Sequence, residues 1–190
     1  MAEAQRWDEV YANEPELYTT RPNALLVEVV QKLAMGRALD IGVGQGRNAR
    51  YLAERGWQVT GVDVSAEGVR QTAAAGGVTV VRQAVEEFEM GEAQWDLILG
   101  MYVHGVLLRV SERVIAALKP GGLLVVEGFH RDVMQLGISG LTGGLLGYQT
   151  NALLRHFQAL RVERYEDRIA LADWRQIEAP IVRMVARQEA

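Results

Sequence analysis

Apolar and polar positions alternate along this chain between two periods. Leu25, Leu26, Val29, Val30 and Leu33 recur at helical spacing behind Pro22, a residue suited to a first turn, and Gly36 closes the stretch. A short apolar run over 37–41 predicts a strand. An amphipathic segment over 47–55 follows, with Ala49, Leu52 and Ala53 inward and Gly56 as its stop. Residues 57–62 read as a second strand. Ser65 then stands where it caps a helix reaching about Ala75, which Gly76-Gly77 breaks. The unbroken β-branched run Val78 to Val81 predicts a strand buried on both faces. A fourth strand covers 95–99. Leu107, Val110, Val114 and Leu118 make one helix after it, and Lys119-Pro120-Gly121-Gly122 turns sharply into a fifth strand, 123–127. Five such alternations demand a parallel sheet with helices on both faces.

The two ends read differently. Trp7, Val10 and Tyr11 share one side of a short helical lead, and 14–21 is irregular around Pro15. Between Gly137 and Gly147 there are five glycines in eleven residues, set among Leu136, Ile138, Leu141, Leu145 and Leu146, too apolar for an ordinary linker. A helix over 150–157 and two strands, 161–169 and 181–186, complete the chain. The first of these strands is heavily charged, which suits a sheet edge. No repeat is evident, and the expectation is a single domain over 1–190, with cover helices in 1–35, a binding core in 37–128, and a lid segment, helix and strands in 129–190.

Composition narrows the chemistry. The 190 residues are 49% hydrophobic and 23% charged, with a net charge of −4 that offers nucleic acid no basic surface. The absence of cysteine excludes disulfides, thiolate metal sites and cysteine nucleophiles. Three scattered histidines without a nearby acid partner give no metal-ligand spacing. No apolar run approaches the ~20 residues of a membrane span. Met1 to Asp8 carry acids and no apolar core of a secretory signal, so a cytoplasmic location is expected.

The candidate chemistry gathers where the first strand ends. Asp40-Ile41-Gly42-Val43-Gly44-Gln45-Gly46 puts glycine at alternate positions just before a helix, so bare backbone and unpaired N–H groups face whatever binds there. Asp63, at the end of the second strand and roughly 20 residues past the first of these glycines, stands where an acid accepts hydrogen bonds from a ribose diol. The spacing G-x-G-x-G, followed by Arg47 and Asn48, departs from the dinucleotide pattern G-x-G-x-x-G, which makes a nicotinamide-dependent oxidoreductase the weaker reading. Asn48 falls in the first helical turn, where a pyrophosphate would seek bare N–H groups.

These residues resemble the class I S-adenosylmethionine-dependent methyltransferases. Asp40-x-Gly42-x-Gly44-x-Gly46 with Asp63 carries the likeness, and Trp95-Asp96-Leu97-Ile98 and Lys119-Pro120-Gly121-Gly122-Leu123-Leu124 extend it. Gly44-Gln45-Gly46-Arg47-Asn48 is further similar to the small tellurite-resistance-type and related small-molecule enzymes. The resemblance implies a Rossmann-like three-layer α/β sandwich, with a seven-stranded mostly parallel sheet whose last strand is antiparallel. It implies S-adenosyl-L-methionine as cofactor, with Asp40, Gly42, Gly44, Gly46 and Asn48 around its methionine and ribose and Asp63 on the ribose hydroxyls. Val64 lies by the adenine, and Gly100 and Met101 face the sulfonium. The acid often found after the third strand is missing. Gln83-Ala84-Val85 stands there, so adenine falls to the backbone of Ala84 and Val85 or to the Gln83 side chain.

The acceptor implied is a small molecule methylated on S, N, O or a chalcogen oxyanion. A protic acceptor needs a proton acceptor, and His104 and His130, each following a strand end, are the candidates. Tyr11, Tyr18, Tyr102 and Tyr148 are expected to rim the substrate pocket, and Arg21 to meet an acidic group, with the lead segment and 133–147 as lid. Two other readings stay open, a catalytically silent cofactor-binding module and a protein or peptide methyltransferase. The signature of DNA base methylation is missing after the fourth strand, where Leu99-Gly100-Met101-Tyr102 stands. No nucleic-acid or membrane partner is expected, and the chain is read as a monomer or homodimer.

Overall fold

The computed structural model describes residues 3–13, 20–137, 147–174 and 176–189. Its elements are α1 (Glu3–Asn13), α2 (Ala24–Val30), β1 (Arg37–Ile41), α3 (Arg47–Ala53), β2 (Gln58–Asp63), α4 (Ala66–Ala74), β3 (Val78–Arg82), β4 (Trp95–Met101), α5 (His104–Arg109), α6 (Ser111–Ala117), β5 (Leu118–Phe129), a 3-10 helix (Arg131–Leu136), α7 (Ala152–His156), β6 (Arg161–Ala172) and β7 (Ile177–Arg187). The seven strands follow the sheet order β3-β2-β1-β4-β5-β7-β6. The β1–β2, β2–β3 and β4–β5 pairs are parallel, while β7 runs antiparallel to both its neighbours. This is the expected Rossmann-like α/β arrangement. None of the described helices is long and apolar enough to cross a membrane. The chain divides into two compact units, Met1–Glu89 and Met90–Ala190.

In the first unit, β1 and β2 pair in register with Asp40 opposite Gly61 and Ile41 opposite Val62. Leu39, Ile41, Leu52 and Val62 are fully buried there. α2 starts at Ala24, two residues past the proline, because the Asn23 side chain caps it: Oδ1 accepts from Leu25 N at 3.0 Å and Leu26 N at 3.3 Å. α4 is capped by Ser65, as expected. The expectation for β3 fails. Its residues are half-buried or exposed, because β3 is the outermost strand of the sheet order. Four consecutive β-branched residues reported strand propensity there, which an edge satisfies as well as a doubly covered strand does.

In the second unit the single helix expected over 107–118 is two, α5 and α6, joined at Val110, whose φ of −104° and ψ of 12° leave the helical region. Lys119 to Gly122 does not precede the fifth strand but lies inside it. The register steps from Trp95 opposite Leu118 to Leu97 opposite Leu123, so the segment loops out as a wide bulge around Gly121 at φ +81°. β6, as expected from its charges, is the other outermost strand. Phe129, Val133, Ala172, Ala179 and Ile181 form an apolar cluster, with Tyr102, Trp174 and Ile177 packed on it. The apolar glycine-rich stretch expected as a lid falls largely in 138–146, outside the described residues, as does Tyr18.

Candidate active site

The loop after β1 is built as its sequence demands. Gly42, Gly44 and Gly46 all have positive φ, at 69°, 52° and 78°. Gly42 N and Val43 N both donate to Val62 O, which pins the loop to the tip of β2. A Cβ on Gly46 would lie 2.6 Å from the Thr72 side chain, and Thr72 Oγ1 donates to Gly44 O at 2.8 Å. A side chain is opposed at all three positions by the backbone angle, and at Gly46 by space as well.

Asp63 reaches into this loop. Its Oδ2 accepts from Gly44 N at 2.8 Å and its Oδ1 from Ser65 N at 2.8 Å. Burial outweighs these bonds and raises its pKa. Asp40, in β1, is buried too, and desolvation pushes its pKa up to about 7, with Asp63 adding to the rise. Asn48 sits in the first turn of α3, but its Oδ1 accepts from Asn23 N at 2.8 Å, so that oxygen ties α3 to the start of α2.

α1 lies over the same loop. Tyr11 Oη stands 2.6 Å from where a Gly44 Cβ would be, and Gln71 Nε2 donates to Tyr11 O at 3.2 Å. Trp7 stacks on Tyr11 at 5.6 Å. Arg21 is exposed, and its carbonyl accepts from Arg47 at 3.2 Å. After β3, the Ala84 carbonyl accepts from Glu87 N and Phe88 N, and Gln83 Nε2 donates to Glu87 O at 3.2 Å. The acceptor side of Ala84 is therefore spent on the following turn. Val85 is buried and Val64 half-buried.

In the second unit, Gly100 lies in β4, where a Cβ would come 2.7 Å from Leu107, and Met101 is buried beside it. Tyr102 takes a left-handed conformation at φ +61°, a strained one for a tyrosine. Its hydroxyl donates to the Glu127 carboxylate in a very short bond, and its ring stacks on Trp174 at 5.8 Å. Glu127 is fully buried at the end of β5, and Arg183 Nε holds its other oxygen at 2.6 Å. Glu127 and Arg183 were not expected in a site. The available signal was a lone charge closing the apolar run Leu123 to Val126, and a lone arginine inside Ile181 to Val185.

His104 is at the start of α5, between the rings of Phe129 (6.1 Å) and Tyr148 (4.9 Å). Its Nε2 accepts from Phe129 N at 2.8 Å, which fixes the neutral tautomer with the proton on Nδ1. Burial pulls its pKa down to about 4. Tyr148 is fully buried, its pKa is raised by burial, and its hydroxyl has no partner among the described residues. His130 Nε2 lies 3.1 Å from Thr150 Oγ1, and its Nδ1 accepts from Asp132 N at 3.3 Å. The described residues hold no cluster of three or more metal-ligating side chains.

The His104 environment has a consequence in acid. A histidine of ordinary pKa 6.5 that falls to about 4 on folding binds its proton more readily unfolded. Its share of stability is complete above 6.5 and drains away as pH falls toward 4. On going from pH 7 to pH 4 the wild type should lose about 3 kcal/mol more than the His104→Gln variant, whose amide oxygen still meets Phe129 N–H. Urea unfolding at several pH values measures this, and parallel profiles would refute it.

Residues 38–122 match the family model of a methyltransferase domain. Over these residues the chain is similar to a methyltransferase domain. A ubiquinone biosynthesis O-methyltransferase of Chelativorans sp. (strain BNC1) is 33% identical to it over 112 residues, 54% of this chain and 44% of that protein. The chain thus spans less than half the length of that relative. Among solved structures, TehB from Haemophilus influenzae superposes with a TM-score of 0.75 at 16% identity, over 96% of this chain and 67% of that one. An S-adenosylmethionine-dependent methyltransferase from Methanosarcina mazei gives a TM-score of 0.71 at 16% identity, over 85% of this chain and 97% of its own. At such identities the likeness is one of fold.

Proposed function

We propose that this chain transfers a methyl group from S-adenosylmethionine to a hydroxyl of a small molecule in the cytoplasm. One observation carries the cofactor: the Asp63 carboxylate, held by Gly44 N–H and Ser65 N–H, closes a loop whose three glycines all have positive φ. A carboxylate has about four acceptor sites. The two amides use two of them and turn the group toward the loop, so the residues present fit a ribose diol. Gly42, Gly44 and Gly46 offer the backbone surface beside it, with Asp40 below. Val64, Val85 and the remaining groups of Ala84 would flank the adenine.

When bound, S-adenosylmethionine supplies a methyl group already activated on a sulfonium. The chain's task is then alignment and exclusion of water. Tyr102 and Trp174, both half-buried, are the rings that can meet the acceptor. Fully buried Phe129 backs them, with neutral His104 on the Phe129 N–H. Tyr148, expected at the pocket rim, is fully buried instead and packs on His104. His130 is the proton acceptor in this reading, and it must first give up one of its two contacts, Nδ1 with Asp132 N or Nε2 with Thr150 Oγ1. The O-methyltransferase name of the Chelativorans relative supports oxygen as the methylated atom.

Calorimetry with S-adenosylmethionine and S-adenosylhomocysteine tests the first half. A turnover assay reading S-adenosylhomocysteine release tests the second, with panels of phenols, thiols, amines, chalcogen oxyanions and short peptides. Binding of both ligands, with release in the phenol panel, is expected. Binding without release in any panel would make the chain a silent cofactor module, and no binding would overturn the proposal.

A further inference from the structure

α1 has an unusual attachment. None of its eleven residues is fully buried, and a helix this short is marginal on its own in water. What holds it is largely polar. The Asp8 carboxylate oxygen Oδ1 accepts from Ser65 Oγ at 2.6 Å and from Glu67 N at 3.0 Å, so it sits at the positive end of α4. These bonds, with help from Arg82, keep the Asp8 pKa low, and the carboxylate is charged at neutral pH. Beside it the Tyr11 ring covers Gly44 and Gly68.

Ser65 has a second task. Its hydroxyl donates to Asp8 and accepts from Gly68 N at 3.0 Å, while its own N–H donates to Asp63 Oδ1. One residue therefore holds both the carboxylate that anchors α1 and the carboxylate assigned to the ribose. We propose that Asp8 and Ser65 form a latch, in which docking of α1 and seating of Asp63 stabilise each other, so that α1 closes on bound cofactor and slows its release. Asp8 and Ser65 are positioning residues in this scheme, acting through Asp63. The link rests on the cofactor assignment above.

The mechanism is reciprocal. With α1 docked, Asp8 fixes the Ser65 hydroxyl, the first turn of α4 is held, and Ser65 N–H stays aimed at Asp63. A ligand that accepts this arrangement gains from it, and the docked helix gains from the ligand by the same factor. Tyr11 lies directly over Gly44, so the ligand and the helix meet on one loop.

The test uses the full chain with S-adenosylhomocysteine as probe, comparing wild type with Asp8→Ala, Asp8→Asn and Ser65→Ala. Amide exchange over residues 3–13 should slow when the wild type is saturated, and the Asp8→Ala variant should lose that protection. Asp8→Ala should release the probe about tenfold faster, the loss of roughly one charge-assisted hydrogen bond, with association unchanged. Asp8→Asn, whose amide oxygen still accepts from Ser65 and Glu67, should recover part of the slow release. The Asp8→Ala/Ser65→Ala double variant should release no faster than Ser65→Ala alone, because the two residues act as one unit. If the wild type binds the probe while release and exchange are the same in Asp8→Ala, the latch is refuted and the cofactor assignment stands. If the wild type binds no probe at all, the cofactor assignment falls and the link falls with it.

Discussion

Replacing Asp63 by alanine should weaken S-adenosylmethionine binding at least a hundredfold while leaving the protein no less stable. The binding loss follows from two charge-assisted hydrogen bonds to a ribose diol, each worth roughly 1.5–3 kcal/mol. It is compounded because Gly44 N–H and Ser65 N–H lose the acceptor that orders them. The stability side follows from a sign. Burial raises the Asp63 pKa despite its amide partners, so the folded state holds that proton more tightly than the unfolded state. Such a carboxylate contributes stability at low pH that is lost as pH rises through its folded value, and at neutral pH its charge opposes folding. Removing it therefore relieves a cost, against which stand the freed amides of Ser65, Gly44 and Val64. It also relieves Asp40, whose rise to about 7 owes part of its size to the Asp63 charge. Asp63→Asn should bind nearly as poorly, because one of its ends presents N–H to a backbone N–H. Calorimetry gives the affinities and urea unfolding the stability. An affinity within tenfold of wild type would remove Asp63 from the ribose site.

Much of this was legible in the sequence, for a physical reason. Strand, glycine loop and helix start are local features, and Gly42, Gly44, Gly46 and Ser65 announce them by backbone freedom and capping chemistry within a few residues. Asp63 was placed because the βα unit has a standard length, so a residue at the end of the next strand falls near the first loop. The misreadings are equally physical. Val78 to Val81 looked doubly buried because β-branched residues suit any strand, and only the sheet order makes β3 an edge. Lys119 to Gly122 looked like a turn ahead of the strand, since nothing local says that the strand resumes its partner on both sides of the bulge. Glu127, Arg183 and Asp8 were passed over because their partners are remote: Asp8 meets Ser65 across 57 positions and Arg183 meets Glu127 across 56. Such pairs are specified by register and helix docking, which a single sequence does not display. His104 is expected as a proton acceptor for the substrate, but its Nε2 accepts from Phe129 N instead, and a histidine after a strand end reads alike in either case.

Replacing Arg183 by methionine should cost about 3–5 kcal/mol of stability, the penalty for leaving a buried carboxylate without its partner. Arg183 stands directly opposite Glu127 in the β5–β7 register and opposite Glu166 in the β6–β7 register. Its Nε meets Glu127 at 2.6 Å, its Nη2 donates to Leu171 O at 3.2 Å, and Glu166 is 3.7 Å from Nη1. Glu127 has no exposure at all, so water cannot take the place of the guanidinium. The loss should not stay local. Tyr102 N donates to Glu127 O at 2.7 Å and its hydroxyl to the Glu127 carboxylate, and these bonds hold a tyrosine in a left-handed conformation that costs of order 1–3 kcal/mol. A Glu127 that has lost Arg183 and turns away releases that strain and with it the stacking of Tyr102 on Trp174. The double variant Glu127→Gln/Arg183→Met separates charge from packing. Its amide oxygen still accepts from Tyr102 and nothing charged remains buried, so it should regain most of the loss. Urea unfolding at pH 7 decides between the two terms. A single variant costing under about 1 kcal/mol would mean that the pair is screened and the carboxylate carries no buried charge. A double variant as unstable as the single would put the penalty in the lost packing of the arginine stem, not in an uncompensated charge.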